Sequence, residues 1–232
     1  MKTPQLIVAL DYPDAASALA MARLLAPQRP WVKVGLELLM SAGPGVVDEL
    51  RALGCSVFVD GKFHDIPNTV AGAVRSVINC GGQMINVHAS GGLRMMQAAA
   101  QAAQAVAAAQ RPLVIAVTVL TSTAPEELRN EMGVARPLEE QVVALAKLAQ
   151  QAGLDGVVAS PREAAAIKAA CGPDFLVITP GIRPDTGVAD DQRRTATPAD
   201  AVAAGADFIV VGRPITQADD PAAVCAAVIG AL

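Results

Sequence analysis

Eight short runs rich in β-branched residues recur along this chain of 232 residues, and each is followed by a longer segment rich in alanine and leucine. The runs predict strands at residues 6–10, 32–36, 56–59, 84–87, 113–119, 156–159, 175–178 and 208–211. The longer segments predict helices at residues 15–25, 45–53, 69–79, 94–109, 138–151, 162–170, 198–204 and 222–229. Apolar strands that alternate with helices form parallel sheets. Eight such units favour an α/β protein with a closed (β/α)8 TIM barrel, in one domain over residues 1–232, over an open doubly wound sheet.

Composition excludes several classes of function. With 53% hydrophobic and 17% charged residues, the chain has the composition of a compact globular protein. A net charge of −4 gives no general attraction to nucleic acid or to anionic membranes, so an anionic ligand needs a local cluster of basic groups. No apolar run reaches membrane-spanning length, the N-terminus lacks a signal-peptide apolar region, and the four cysteines include no CxxC pair. We therefore expect a cytoplasmic protein with reduced thiols and neither nucleic-acid nor membrane partners.

The densest group of charges directly follows the third predicted strand and comprises Asp60, Lys62, His64 and Asp65. Residues two apart on a strand share a face, so Asp60 and Lys62 are predicted to point the same way. Opposite charges at the end of a buried strand cost desolvation energy unless they are paired or used in chemistry. The structural alternatives are a buried Asp60–Lys62 ion pair and an Asp65 that caps the helix near Pro67. Three charges crowded together nevertheless favour a catalytic role.

Polar residues follow nearly every predicted strand at its carboxyl end. In chain order they are Asp11, Lys33, Asp60, Lys62, His88, Thr118, Thr121, Ser122, Ser160, Arg183, Gly212 and Arg213. Barrels of this class build their active sites from that rim, so one shared site is predicted. Lys33 stands between apolar neighbours in mid-strand, where an unpaired lysine is almost never buried, and we expect it to pair with Asp11 or Asp60.

A phosphate site is predicted where the last two strands end. Loops after the seventh and eighth strands of such barrels commonly hold phosphate with the help of a helix N-terminus. Gly212 allows backbone N–H groups to approach an anion, and Arg213 supplies a two-pronged charged contact. Arg183 and Gln192 lie in the long preceding loop.

A divalent-metal site is a further chemistry that these residue types suggest. His64 lies between Asp60 and Asp65, and imidazole and carboxylate groups both bind divalent metals. Lys62 stands among them, and a fixed ammonium beside the ion opposes a cation. We therefore predict no metal.

With these motifs the sequence resembles the orotidine 5′-monophosphate decarboxylases of the bacterial type, over essentially its whole length. The matching segments are residues 8–11, 32–35, 60–69, 86–89, 117–122, 179–184, 191–194 and 212–214. The D-x-K-x-x-D pattern from Asp60 to Asp65 alone marks a wider superfamily of barrels. Combined with the loop over residues 181–194, it is specific.

The resemblance implies decarboxylation of orotidine 5′-monophosphate to uridine 5′-monophosphate in de novo pyrimidine biosynthesis, with no metal and no organic cofactor. Lys62 would be the acid that protonates C6 of the pyrimidine as carbon dioxide leaves. Asp60 and Lys33 would form a charged network with Lys62. Lys33 and Asp11 would also contact the ribose hydroxyls.

The resemblance also implies a homodimer with shared active sites. Asp65 would enter from the second subunit, together with Ile66 and Thr69, so each site would need two chains. The remaining implied substrate contacts are to the base and the phosphate. They are Thr121 and Ser122 for the base, and Arg183, Gln192, the Gly212 amide and Arg213 for the phosphate.

One departure and two rival functions remain open. Gly61 stands where the family often has a larger apolar residue; we expect it to face away from the barrel interior and to leave the alternation of Asp60 and Lys62 unchanged. The nearest rival is a Mg²⁺-dependent sugar-phosphate decarboxylase or aldolase of the same barrel superfamily, which a chelator would inactivate. The other is a non-catalytic barrel that binds a phosphate ligand and has no need of Lys62.

Overall fold

The computed structural model describes residues 3–183 and 196–232. Its strands are all parallel and form a closed barrel in which each pairs with the next in sequence and the eighth pairs with the first. The strands are β1 (Gln5–Ala9), β2 (Trp31–Val34), β3 (Ser56–Phe63), β4 (Met84–His88), β5 (Leu113–Val117), β6 (Gly156–Val158), β7 (Leu176–Thr179) and β8 (Phe208–Val211). The predicted (β/α)8 TIM barrel is therefore confirmed.

Helices alternate with the strands along the described chain. They are α1 (Ala15–Leu25), α2 (Leu36–Ala42), α3 (Gly45–Ala52), α4 (Pro67–Asn79), α5 (Gly92–Gln104), α6 (Pro125–Asn130), α7 (Leu138–Gln151), α8 (Pro161–Cys171), α9 (Pro198–Ala203), α10 (Arg213–Thr216) and α11 (Pro221–Gly230). Three of these, α2, α6 and α10, were not predicted; they have seven, six and four residues, and segments this short show a helical period only weakly. The alanine-rich segment predicted as helix to residue 109 ends its α-helix at Gln104.

Three predicted strand ends were wrong by two residues or more, and all lie at the carboxyl rim; β5 stops at Val117 instead of residue 119. β2 stops at Val34 because Gly35 is the N-cap of α2, so Leu36 begins a helix instead of ending a strand. β3 continues to Phe63, four residues beyond the predicted end at Val59. The extension brings Asp60 and Lys62 into the strand itself. The rim therefore begins later on β3, and earlier on β2, than the apolar pattern indicated.

Alternation along the strands divides the apolar core into two layers. Residues that point into the barrel fill its interior, among them Ile7, Phe58, Met84, Ile115 and Phe208. The residues between them point outward and pack against the helices in a larger cluster. Both faces of each strand are thus buried, which is why the strands read as continuous apolar runs.

The cysteines are consistent with the predicted reduced thiols. All four are free, and Cys55, Cys171 and Cys225 are buried. Burial raises the pKa of the Cys225 thiol to about 11, so this side chain is a protonated, unreactive part of the core. Among the described helices, none combines the length and the apolar character needed to cross a membrane.

We predict that Gly156→Ala destabilises the barrel. A Cβ at this position would lie 2.5 Å from the Cβ of Leu176 and would also meet the Leu176 backbone carbonyl, which cannot move without disturbing β7. The free energy of unfolding in urea should fall by about 1–3 kcal/mol, the usual cost of overpacking. Gly230→Ala is the control, because a Cβ there meets nothing within 4 Å. Equal stability of the two variants would contradict the prediction.

Candidate active site

A layer of polar side chains lies directly above the interior core. Asp60 follows Phe58 by two residues on β3, and Asn86 follows Met84 by two residues on β4. Both therefore point into the barrel, one level nearer its carboxyl end. Asp60 is 7% exposed and Asn86 is 1% exposed, so each needs hydrogen-bonding partners within the protein.

Four charged side chains form a row of contacts of alternating sign, the charged chain. It runs from Asp11 after β1 through Lys33 on β2 to Asp60 and Lys62 on β3. Lys33 Nζ lies 3.0 Å from Asp11 Oδ1 and 3.2 Å from Asp60 Oδ2. Lys62 Nζ lies 2.7 Å from the other oxygen of Asp60, Oδ1. The predicted pairing of Lys33 with an aspartate is confirmed, and it pairs with both candidates. Each lysine contacts a carboxylate, and the four side chains together carry no net charge.

The pKa values of the two most buried groups show how strongly they are coupled. Burial opposes the charged form of Lys33, but the carboxylates of Asp60 and Asp11 outweigh it and raise the pKa of Lys33. Burial likewise opposes ionisation of Asp60. The ammonium groups of Lys33 and Lys62, together with hydrogen bonds from Lys62 and Asn86, nevertheless hold the pKa of Asp60 below its usual value. Both groups are therefore charged at neutral pH.

Asp60 and Lys62 meet, but regular strand alternation is not the reason. β3 is irregular here, because Val59 pairs with Ile85 while Phe63 pairs with Val87. Lys62 has φ = 47°, in the left-handed region that non-glycine residues seldom adopt. Such a bulge turns a side chain in a direction that a regular strand does not allow. The sequence prediction was right about the contact and wrong about its cause.

Gly61 lies inside this irregular segment. The prediction that it leaves the alternation of Asp60 and Lys62 unchanged was wrong, since the alternation is interrupted on both sides of it. A Cβ at Gly61 would lie 2.6 Å from Cζ of Phe63, so the ring of Phe63 covers the glycine. A larger residue here would require that ring to move.

Gly35 is required by the charged chain. A Cβ at Gly35 would lie 2.8 Å from Asp11 Oδ1 and 3.0 Å from Lys33 Nζ. The Asp11–Lys33 pair therefore packs directly on the backbone at the start of α2. Any larger residue at this position would push the pair apart.

The charged chain borders a cavity of about 310 Å³ at the carboxyl end of the barrel, within the size range of small-molecule sites. Nine residues singled out in the sequence line it together. They are Asp11, Lys33, Asp60, Lys62, Thr121, Ser122, Arg183, Gly212 and Arg213. The one shared site predicted from the barrel rim is thus formed by residues that are far apart in sequence. Gln192 lies outside the described residues.

The basic part of the cavity wall comes from the ends of β7 and β8. Arg183 is 8% exposed and donates to the carbonyl oxygen of Ile182 at 3.1 Å. Gly212 is the N-cap of α10, and Arg213 is the first residue of that helix. A Cβ at Gly212 would lie 4.0 Å from Asp11 Oδ2, so this backbone approaches the start of the charged chain. Acid–base groups and basic groups thus share one cavity.

Six predicted site residues lie outside this cavity: His88, Thr118 and Ser160 at the rim, and Asp65, Ile66 and Thr69 after β3. The Thr118 hydroxyl donates to the Val158 carbonyl at 2.9 Å, and Ser160 is the N-cap of α8, so both have structural partners. Asp65, Ile66 and Thr69 are exposed, at the end of β3 and the start of α4, and Ile66 is 67% exposed. Asp65 Oδ1 accepts a hydrogen bond from the neighbouring Ile66 N–H at 2.6 Å, while the N-cap of α4 is Ile66. Within the described chain Asp65 thus binds only the next backbone N–H in this segment and is not the N-cap of α4 that the sequence suggested.

The two histidines lie side by side next to the charged chain. The ring centroids of His64 and His88 are 5.6 Å apart. Burial, then the nearby His64 and Lys62, lowers the pKa of His88, and Asp60 opposes this only in part, so His88 is neutral at pH 7. No group of three or more histidine, cysteine, aspartate or glutamate side chains is arranged to hold a metal within residues 3–183 and 196–232.

Asn86 is a polar cavity residue that the sequence predictions did not include. It lines the cavity, and it contacts both Asp60 and the backbone of Lys62. A signal was present, because asparagine is depleted in strands and Asn86 stands between Ile85 and Val87 in a run predicted to be buried. The same reasoning that singled out Lys33 applies to it.

The fold and the cavity define a (β/α)8 barrel with an acid–base site beside basic groups at its carboxyl end. The model of the "Orotidine 5'-phosphate decarboxylase / HUMPS family" matches residues 4–228. The chain belongs to this family.

Relatives with similar sequences share nearly the whole chain. The protein is 54% identical over 229 residues to the orotidine 5'-phosphate decarboxylase of Teredinibacter turnerae, covering 99% of this chain and 97% of the relative. It is 50% identical over 232 residues to that of Dichelobacter nodosus, covering 100% of both. The crystal structure of orotidine 5'-phosphate decarboxylase from Lactobacillus acidophilus superposes with a TM-score of 0.89 at 40% identity, covering 98% of each chain.

We predict that Asp60→Asn lowers the free energy of unfolding and that the loss depends on pH. The lowered pKa of Asp60 means that its carboxylate stabilises the fold above the unfolded value of 3.8, and that this stabilisation disappears as pH falls through the lower folded value. At pH 7 the variant should lose about 3–5 kcal/mol, because two ammonium groups remain without the carboxylate between them. Below pH 3.8 the difference from the parent should shrink.

Urea titrations of the parent and of Asp60→Asn, from pH 7 to below pH 3.8, measure the difference in the free energy of unfolding. Asp219→Asn is the control, because Asp219 is exposed and its replacement should change stability by less than about 0.5 kcal/mol at every pH. A constant difference between Asp60→Asn and the parent over the whole range would contradict the assignment.

Proposed function

We propose that this protein is an orotidine 5′-monophosphate decarboxylase that releases carbon dioxide to give uridine 5′-monophosphate in pyrimidine biosynthesis, with Lys62 as the proton donor to C6. The observation that carries the proposal is the contact chain from Asp11 to Lys62, at a cavity whose wall also holds Arg183 and Arg213. Membership of the family and close full-length relatives that bear this name support it.

The reaction explains why an ammonium group is needed at the reacting carbon. Loss of carbon dioxide from C6 leaves an electron pair in the plane of the ring, where the ring cannot delocalise it in the usual way. The ammonium of Lys62 would stabilise the developing negative charge and then transfer its proton to C6. Lys62 Nζ is 2.7 Å from Asp60 Oδ1, and its side chain is 32% exposed, so it is both held and accessible.

Lys62 alone cannot supply the whole rate enhancement. One such electrostatic group contributes about 3–4 kcal/mol, whereas demanding reactions need ~20 kcal/mol or more. Interactions with the remote phosphate must therefore contribute to the transition state. Arg183, Gln192, the Gly212 amide and Arg213 would hold that phosphate. Gly212 and Arg213 stand at the start of α10, where backbone N–H groups point outward.

The other cavity residues would bind the rest of the nucleotide. Asp11 and Lys33 would contact the ribose hydroxyls, and the 56% exposure of the Asp11 side chain leaves it open to a ligand. Thr121 and Ser122 would lie against the base. Thr121 is buried while Ser122 is exposed, and both line the cavity.

A homodimer with shared sites would account for the exposed loop after β3. Asp65, Ile66 and Thr69 are exposed in the single chain, and Ile66 is a large apolar side chain in water. Contact with a second copy would bury Ile66 and would carry Asp65 to the partner's Lys62. We further propose that residues 1–232 form one domain, that the enzyme uses no metal or organic cofactor, and that it acts in the cytoplasm.

The function itself is tested by one ultraviolet assay with orotidine 5′-monophosphate, run with and without a chelator. We expect loss of substrate absorbance at the same rate in both. No turnover by the folded parent protein would refute the proposed function, and inactivation by the chelator would favour a Mg²⁺-dependent reaction.

The assignment of the proton donor is tested by Lys62→Ala. Turnover should fall by at least about 100-fold, the usual contribution of a general acid, while circular dichroism and Tm stay close to those of the parent. Lys147→Ala on the exposed face of α7 is the matched control and should retain parent activity. Turnover of Lys62→Ala within about tenfold of the parent would remove Lys62 from this role.

The shared site is tested by mixing two inactive variants, Asp65→Ala and Lys62→Ala. A mixed dimer would have one site that lacks both residues and one site that is intact. After complete exchange of equal amounts, activity should recover to about one quarter of the parent value, because half the dimers are mixed and each has one intact site. Absence of recovery after subunit exchange has been verified by mass spectrometry would exclude sharing.

A further inference from the structure

We propose that Asn86 is the positioning residue that fixes the backbone of Lys62 and the carboxylate of Asp60 together, and that this determines the rate of the chemical step rather than nucleotide affinity. The proposal rests on the proposed function for its kinetic part. Its structural part concerns the irregular segment of β3 and can be tested without turnover.

The pairing of β3 with β4 gives Asn86 a special position. Val59 pairs with Ile85, and Phe63 pairs with Val87. Three residues of β3, from Asp60 to Lys62, therefore lie opposite the single residue Asn86. In such a bulge the ladder hydrogen bonds are interrupted, so backbone groups of β3 need another partner.

The side chain of Asn86 supplies that partner and at the same time binds the catalytic carboxylate. Its Oδ1 accepts a hydrogen bond from the Lys62 backbone N–H at 2.7 Å. Its Nδ2 donates to Asp60 Oδ1 at 2.6 Å, the same oxygen that accepts from Lys62 Nζ at 2.7 Å. One amide group thus spans the start and the end of the bulge and uses its acceptor and a donor in different directions.

The conformation of Lys62 explains why the two hydrogen bonds of Asn86 are needed. Its φ of 47° is unfavourable for a residue with a Cβ, and such conformations persist where the surroundings hold them. Asn86 is 1% exposed and can therefore hold the Lys62 amide without competition from water. Without it, the Lys62 backbone is free to leave this conformation, which would displace Lys62 Nζ from its place beside Asp60 Oδ1.

Asn86 is therefore expected to affect the rate of catalysis and not the binding of the nucleotide. Asn86 fixes Lys62 Nζ, the atom that would donate the proton, whereas the phosphate-binding groups follow β7 and β8 on a different part of the rim. A displacement of the reacting group by about 1 Å costs on the order of 100-fold in rate. Loss of Asn86 should therefore lower kcat and leave the affinity for uridine 5′-monophosphate nearly unchanged.

The first test replaces Asn86 with Leu, which has the same branched shape but no hydrogen-bonding groups. We expect kcat to fall by about 100-fold, with the Kd for uridine 5′-monophosphate within about threefold of the parent. Thr179→Val is the matched control. Thr179 is fully buried, it donates a hydrogen bond to the Phe208 carbonyl at 3.2 Å, and its neighbour Ile178, not Thr179, lines the cavity. This control loses a buried hydrogen bond at equal depth but should keep the parent kcat.

The second test replaces Asn86 with Asp, which keeps an acceptor for the Lys62 N–H but places a second carboxylate against Asp60. Two carboxylates at this distance share a proton, and the protonated one donates as Asn86 does. The kcat of Asn86→Asp relative to the parent should therefore rise as pH is lowered from about 8 to about 5, and that of Asn86→Leu should not. A residue with a merely structural role would not give this pH-dependent rescue.

The third test is independent of activity. Hydrogen exchange of the Lys62 backbone N–H should be at least about tenfold faster in Asn86→Leu than in the parent and in Thr179→Val, and close to the parent in Asn86→Asp. The amide of Val177, which donates to Asp207 Oδ2 at 2.7 Å on β7 and touches neither β3 nor β4, serves as the internal reference.

The outcomes separate the two proposals. Inactivity of the folded parent would refute the proposed function and the kinetic role of Asn86 with it, while the exchange data would still decide whether Asn86 holds the Lys62 backbone. An active parent with an Asn86→Leu variant of unchanged kcat would overturn the inference alone. A fall in nucleotide affinity that matches the fall in kcat, or unchanged exchange at Lys62, would also overturn it. Should Asn86→Leu fail to fold, Asn86→Asp decides the question by its pH profile and its Lys62 exchange rate.

Discussion

Closure of the barrel by pairing of β8 with β1 is the constraint on which the whole site depends. Because the sheet has no edge, the carboxyl ends of all its strands surround one mouth. Asp11, Lys33 and Asp60 follow or lie on three consecutive strands, and they contact one another in that order. Gly212 follows the last strand, yet closure brings its backbone close to Asp11 at the start of the chain. An open sheet would leave these two ends of the site far apart.

The charged chain is stable above the apolar interior of the barrel because each of its charged side chains contacts one of opposite sign. Asp60 lies between two ammonium groups. Its Oδ2 contacts Lys33, and its Oδ1 accepts from both Lys62 and Asn86. Burial makes every one of these contacts stronger than it would be in water and makes any unpaired member costly. The same arrangement that satisfies the charges therefore also restricts where the Lys62 ammonium can lie. The same contacts thus stabilise the buried charges and position the Lys62 ammonium.

The sequence predicted the architecture and most of the cavity, and its errors are local. The eight apolar runs identified the eight strands of the described barrel, because strands buried on both faces are apolar over their whole length. Lys33 was identified since a lysine between apolar neighbours needs a partner. The bulge in β3 was missed, because nothing in a strand pattern specifies a residue in the left-handed region. Asn86 could have been noticed as a polar residue between apolar neighbours, but its two partners lie in the bulge, which the strand pattern does not show.

The sequence by itself determined that this chain closes into a (β/α)8 barrel and that its polar residues gather at one rim. The physical reason is that hydrophobic periodicity and strand ends are local properties, which a sequence records directly. The tertiary structure alone decided how Asp60 and Lys62 meet and that Asn86 joins them. These contacts depend on the register between β3 and β4, and register is a relation between segments 26 residues apart, as for the Asn86–Asp60 hydrogen bond. No single segment of the sequence carries that information.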